Sequence, residues 1–308
     1  MVTDMNANLS VLRNAKREQV KLEPFPHIII HDAVEETVFR ELEQTFPDYS
    51  CFTTPDSPIA DRKYMVRAHD IQSARIDLPV IWKDFVDYHT SKQFFDEVIS
   101  LFGPELEALY GRLETVLDKP FAEMTTEVRK KGLRPNLQNE NDVMLDCQPY
   151  IDCNFTSRQM RGPHVDAPEE IYSGLLYMRD STDDSTGGSL EILEPLDAAT
   201  AFPSDGVIRY PVRGGFDRKR TKRVAKLEYD RNVLILFLNS YKSLHSVETR
   251  TANILPRRAV NLIGEVARYD QFGLFTVEQP ADPNASDQTA WRRRARSFAG
   301  RVKRRLLG

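Results

Sequence analysis

The tripeptide His164-Val165-Asp166, the distant His245 and the Arg257-Arg258 pair beyond it are the residues of this chain best suited to chemistry. On an extended strand, residues two apart project from one face, so His164 and Asp166 can grip one metal ion while His245 arrives from another strand. Two imidazoles and a carboxylate on one side of an octahedral ion leave three positions open. Such a donor set suits a non-haem ferrous centre whose open positions take a cosubstrate and O2. The set contains no cysteine, whereas zinc and iron–sulfur sites favour thiolates.

A His-x-Asp spacing alone is weak, and its context has to supply the specificity. Ser173 to Met178 reads as a buried strand, an acidic turn follows over Asp180 to Asp184, and Gly187-Gly188 opens the next strand. Asn232 to Leu238 is a nearly unbroken apolar run, the pattern of a strand buried on both faces. It feeds the Asn239-Ser240-Tyr241 turn just before His245. Each of His164, Asp166 and His245 taken singly also reads as a loop histidine, a turn residue and a satisfied imidazole. The ordered set, interleaved with these strands, favours a metal site.

At these positions, over about residues 143 to 268, the chain resembles the Fe(II)- and 2-oxoglutarate-dependent dioxygenases, in particular their prolyl-4-hydroxylase-like and phytanoyl-CoA-hydroxylase-like branches. Pro24 to Phe46 looks like the lead-in strand and helix of such enzymes. The resemblance implies an all-β core with helical additions, a double-stranded β-helix (jelly-roll) with N-terminal helices packed on one sheet. It implies His164, Asp166 and His245 as iron ligands, O2 and 2-oxoglutarate as cosubstrates, ascorbate as a reductant, and a basic residue for the distal carboxylate of 2-oxoglutarate. A buried carboxylate is costly without a partner, and a guanidinium fork satisfies it with two parallel hydrogen bonds. Arg257 is the first choice, because the resembling pattern places the cation just before a second basic residue and a small one, as in Arg257-Arg258-Ala259; strand alternation agrees, putting Arg257, Ala259 and Asn261 on one polar-tolerant face and Arg258, Val260 and Leu262 on the other. Arg258 is the second. Tyr177, Gln148 and Asn154 are further candidates for the cosubstrate, each with a plain core or turn role as its alternative.

The activity so implied is hydroxylation of a C–H bond, releasing succinate and CO2, on a small metabolite or a carrier- or glycan-linked intermediate. A peptidyl side chain is the alternative substrate, and a metal-binding jelly-roll without turnover is the alternative of a different class. His27, His31, His69 and His89 lack ligand spacing and read as structural.

Composition bounds the rest. With 308 residues and 41% hydrophobic content the chain can bury a large core, and its net charge is −4. No apolar run reaches bilayer length, no signal peptide opens the chain, and three cysteines without Cys-x-x-Cys spacing read as reduced thiols. A cytoplasmic location is expected, peripheral to the inner membrane surface if the C-terminus engages it. Four parts are expected: a polar, poorly ordered segment 1–21, a catalytic domain 22–278 with a basic insertion at 198–230, a linker 279–290 and a basic amphipathic helix 291–308. The insertion carries Arg213, Arg218, Lys219, Arg220, Lys222, Arg223 and Lys226, which read either as a solvated hairpin or as a grip for anionic substrate groups. In the last helix, Trp291, Ala295, Phe298, Val302 and Leu306 form a stripe among eight basic residues. That face suits an anionic membrane surface or an acidic partner, with nucleic acid ranked below both. Upstream, Val34 to Phe46 reads as a helix, Cys51 to Ile76 as an irregular lid, and Thr90 with Gln93 as a capping box for a helix through Phe102.

Overall fold

The computed structural model describes residues 8–53, 59–130, 138–167, 169–196, 217–240 and 242–268. The linker 279–290, the basic helix 291–308 and most of the insertion, 197–216, lie outside the described residues.

Eleven strands among the described residues form two sheets. Eight of them, β4 (Val143–Asn154), β5 (Arg158–His164), β6 (Glu170–Met178), β7 (Leu190–Pro195), β8 (Thr221–Leu227), β9 (Arg231–Leu238), β10 (His245–Arg250) and β11 (Asn253–Val266), alternate between the sheets in sequence except at the β7–β8 hairpin, which stays in one sheet. The larger sheet runs β1 (His27–His31), β9, β6, β11, β4, β2 (Lys63–Met65) and the smaller β5-β10-β7-β8. Counted from β4, the core strands stand in the orders 6-3-8-1 and 2-7-4-5, the jelly-roll arrangement. All these core pairings are antiparallel. The larger sheet is extended by β1 (His27–His31) on β9, by β2 (Lys63–Met65) on β4, and by β3 (Thr126–Val128), parallel to β4.

Alternation explains why the larger sheet reads as continuous apolar runs. In β9, Leu234, Leu236 and Leu238 join the core under the helices, while Val233, Ile235 and Phe237 line the sandwich interior. The helix-side core includes Trp82, Phe85 and Val86 of α4 (Val80–His89) and Phe94, Phe95, Val98 and Phe102 of α5 (Lys92–Leu117). Each such ring or branched side chain, fully buried, is worth about 1.5–3 kcal/mol of transfer free energy. Phe39 and Leu42 of α1 (Glu36–Gln44) add to the same layer.

Three expectations are corrected. Residues 8–21 are packed, with Leu9, Val11 and Leu12 in the core and the Val11 amide donating to His89 Nε2 at 3.2 Å. Ser91, not Thr90, caps α5, accepting from the Phe94 amide, while the Thr90 hydroxyl closes the previous helix on the Val86 carbonyl. α5 runs unbroken through Pro104 to Leu117. The described residues of 51–76 are not irregular throughout: they contribute the end of α2 (Tyr49–Phe52), the edge strand β2 and the short helix α3 (Ala68–Gln72), whose Ala68 amide donates to Asp146. None of the described helices is long and apolar enough to cross a membrane.

Candidate metal centre and cosubstrate pocket

His164 ends β5 and His245 begins β10, and the two are direct cross-strand partners. His245 also stands opposite Ile192, an interior residue, so its ring projects into the sandwich, where it lies 5.1 Å from the ring of Phe237. Val165, between the first two ligands, is buried the other way against Leu193 and Leu244. That apolar anchor holds the loop so that His164 and Asp166 share a side. Asn239 ties the two ligand loops together, its amide donating to the Ala167 and Glu170 carbonyls at 2.8 and 3.1 Å.

The three donor groups converge. One atom from each of His164, Asp166 and His245 lies within 4.8 Å of the others, and each imidazole Nε2 stands 3.7 Å from an Asp166 oxygen. Nδ1 of His164 meets the Gly162 carbonyl at 2.7 Å and Nδ1 of His245 the Ser243 carbonyl at 2.8 Å. A carbonyl only accepts, so both rings carry their proton on Nδ1 and turn the Nε2 lone pair inward. The His164 Nε2 is buried with no hydrogen-bond partner among the described residues. Burial, with the neighbouring His164, pulls His245 down to about 4, so the ring is neutral near pH 7. Burial opposes the charge of Asp166, but His245, His164 and Arg161 outweigh it and hold the carboxyl well below its usual range. Two imidazoles and one carboxylate, with an orphaned nitrogen between them, fit an octahedral divalent ion with three open positions.

Arg257 enters the interior from β11. It is 2% exposed; Nε donates to the Gly188 carbonyl at 2.8 Å and Nη1 to the Tyr150 hydroxyl at 2.5 Å. Nη2 is buried without a partner among the described residues, and so is the hydroxyl of Tyr177, whose ring centroid is 4.8 Å from the guanidinium carbon. The Arg257–Tyr177 approach is an electrostatic contact rather than a formed hydrogen bond. Burial works against the Arg257 charge, yet Tyr150, Tyr177 and Tyr229 around it raise its pKa further. Unpaired buried donors are expensive, and a carboxylate placed here accepts from both. The backbone is shaped for this approach. Gly187 has φ of 80°, and a Cβ there would lie 1.9 Å from the Thr249 carbonyl oxygen.

Other expected cosubstrate residues are placed differently. Arg258 is on the opposite face of β11, paired with Asp180 at 2.9 Å and lying over Phe46. Asn154 is engaged elsewhere: its amide donates to the Arg250 and Thr251 carbonyls, and its oxygen accepts from the fully buried Arg250, which also pairs with Asp183 at 2.9 Å. Gln148 lies beside Tyr150 in the interior row but is occupied by Asp146 at 2.6 Å and Asn261 at 3.3 Å. His27 and His89 are core residues, each with Nδ1 on a carbonyl two or four residues back. The described part of the basic insertion forms a 3-10 turn at Arg218–Arg220 and the strand β8; Arg218 and Arg223 both pair with Glu191, and Lys226 pairs with Glu228 and Glu248, so these three cations are matched by acids.

Sequence reasoning missed Tyr150 as the Arg257 partner, and also Lys63 and Arg161, which stand near the triad. Alternation along β4 could have flagged Tyr150, because it shares a face with Gln148. Nothing local flags Lys63, whose place follows from β2 joining the sheet edge.

No protein-family model matches the sequence, and no curated protein matches it. Solved structures that are similar include a prolyl 4-hydroxylase from Phytophthora capsici, at 12% identity and TM-score 0.43 over 85% of this chain and 65% of that one. A Pseudomonas putida prolyl-4-hydroxylase is similar at 12% identity and TM-score 0.40, over 86% of this chain and 100% of that one. EctD from S. alaskensis, solved with 2-oxoglutarate and 5-hydroxyectoine, is similar at 12% identity and TM-score 0.40, over 78% and 71%.

Proposed function

We propose that this protein is an Fe(II)- and 2-oxoglutarate-dependent dioxygenase that hydroxylates a C–H bond of a small metabolite or a carrier- or glycan-linked intermediate. The observation that carries the reading is the convergence of His164, Asp166 and His245 at one point, with an orphaned imidazole nitrogen between them. The unsatisfied donors of Arg257 and Tyr177 in the same interior add to it.

His164, Asp166 and His245 would hold the iron, each imidazole kept in its binding tautomer by a backbone carbonyl. The ferrous ion, when bound, supplies the redox chemistry that couples decarboxylation of 2-oxoglutarate to hydroxylation, one atom of O2 entering succinate and the other the product alcohol. Arg257 and Tyr177 would bind the distal carboxylate, and the Gly188 carbonyl and Tyr150 hydroxyl hold that guanidinium in position. Leu175, Ile192, Ile235 and Phe237 keep the interior apolar, which strengthens each of these charged contacts by excluding water.

Succinate release from 2-oxoglutarate with Fe(II) and ascorbate tests the reading. Turnover in the wild type, uncoupled from substrate if necessary, should vanish in His164→Ala and Asp166→Ala. A wild type that takes up iron yet yields no succinate would favour the metal-binding scaffold instead. A cytoplasmic setting suits a ferrous cofactor and reduced Cys51, Cys147 and Cys153. Residues 291–308 are proposed to engage an anionic membrane surface, and equal pelleting of the full chain and residues 1–278 with anionic liposomes would refute that role.

A further inference from the structure

Two cations beside the metal triad form no ion pair, among the described residues, with an acid outside that triad. Arg161 lies on β5, three residues before His164, and its ion pair among the described residues is with Asp166 at 3.8 Å. That carboxylate is already committed as a ligand. Lys63 comes from β2, on the other sheet, and makes no ion pair among the described residues. Lys63 is exposed as a residue while Tyr150 is 2% exposed, yet its ammonium sits 3.7 Å from the centroid of the Tyr150 ring. The head group is therefore folded inward from the sheet edge onto the ring whose hydroxyl receives Arg257.

The charges around Lys63 do not balance. Burial is the main cause pulling its pKa down to about 7; Arg257 and Arg161 push the same way, and Asp152 and Asp166 only partly compensate. Once Arg257 is matched by a cosubstrate carboxylate and Asp166 by a metal, Lys63 and Arg161 are left as two like charges near the centre, one over the Tyr150 ring and one beside Asp166. Like charges at a partly desolvated edge are costly until an anion sits between them. An isolated exposed arginine would need no explanation. Two cations converging from both sheets on one metal ligand and one tyrosine ring do.

Resting on the oxygenase reading above, we infer that Lys63 and Arg161 form an anion subsite for the substrate, which carries a carboxylate or phosphate group held beside the metal. The two cations orient the substrate by that group and so select which C–H bond faces the open coordination positions. Arg257, deeper and already bonded to Gly188 and Tyr150, is left to the cosubstrate.

The test uses the full chain loaded with Mn(II) and N-oxalylglycine, so that the Arg257 end is filled by an inert diacid. Inorganic phosphate and acetate are then titrated separately by calorimetry. At least one should bind the wild type, and its affinity should fall about tenfold or more in Lys63→Met and in Arg161→Met, each losing one charge-assisted contact. Lys63→Arg should retain binding, as should Lys226→Met, which removes a cation already paired with Glu228 and Glu248. Phosphate binding with no acetate binding assigns a phosphorylated substrate, and the converse a carboxylate. Wild-type affinity in both methionine variants, or no binding of either anion to the wild type, overturns the inference. Uptake of Mn(II) and N-oxalylglycine is measured first in its own isotherm. Its failure counts against the oxygenase reading, and the same variant comparison on metal-free protein then judges the cation pair.

Discussion

Replacing Arg257 separates a cosubstrate anchor from a structural arginine. Its guanidinium is buried, with Nε and Nη1 committed to Gly188 and Tyr150 and Nη2 unpartnered. A 2-oxoglutarate carboxylate bound there gains charge-assisted bonds that no water can replace. Truncation to Leu leaves that carboxylate buried and unpaired, a penalty of roughly 3–5 kcal/mol. The dissociation constant for 2-oxoglutarate should therefore rise by about two to four orders of magnitude. Arg257→Lys keeps the charge but loses the fork, and a loss of about 1.5–3 kcal/mol corresponds to a ten- to hundredfold weakening. Both variants also strip a donor from the Gly188 carbonyl and the Tyr150 hydroxyl, so a melting point lower by several degrees is expected. Anaerobic calorimetry with Mn(II) in place of iron reads affinity without turnover, and Arg258→Met is the control. On the opposite face and paired with Asp180, Arg258 should leave the constant within about threefold of wild type. A folded Arg257→Lys protein that binds 2-oxoglutarate like wild type, or a large loss in Arg258→Met, would refute the assignment.

Three more outcomes follow from the same geometry. Asp183→Ala leaves the fully buried Arg250 without its carboxylate and should cost about 3–5 kcal/mol, and Asn154→Ala about 1–3 kcal/mol, by denaturant unfolding; neither should change 2-oxoglutarate affinity in folded protein. Gly187→Ala, at φ of 80° and against the Thr249 carbonyl, should destabilise by at least about 1–3 kcal/mol and weaken 2-oxoglutarate binding through the adjacent Gly188; an unchanged melting point would contradict the close approach. His89 is pulled down to about 3 by burial, while its unfolded value is about 6.5, so the unfolded chain takes up a proton first as pH falls. Stability from this group is complete above pH about 6.5 and is lost progressively toward pH 3, on the order of 3–5 kcal/mol in all. The pH slope of unfolding free energy should flatten over that window in His89→Phe, and an unaltered slope would show that another group carries it.

Much of the site was legible because its information is local. The spacing of His164 and Asp166 puts both on one side of a strand end, and alternation along Arg257 to Leu262 separates the inward arginine from the outward one. The apolar run of β9 announces a strand covered on both faces, and the structure assigns its odd and even residues to the two cores. Cap and lid assignments were less legible. Thr90 and Ser91 are both good caps, and only the length of α4 decides which helix each serves.

What the sequence by itself determined is the donor chemistry: two imidazoles and a guanidinium on strands of known alternation, and a carboxylate two residues past a strand end. Only the tertiary structure decided which side chains share that space. Asn154 carries the right chemistry but is consumed by Arg250, 96 residues away, and Lys63 reaches the site because its strand closes on β4, across some 90 residues of chain. Alternation is a property of the backbone and repeats every two residues. Partner choice is made by packing and by the cost of leaving buried charges unmatched, and neither is written in any short stretch of residues.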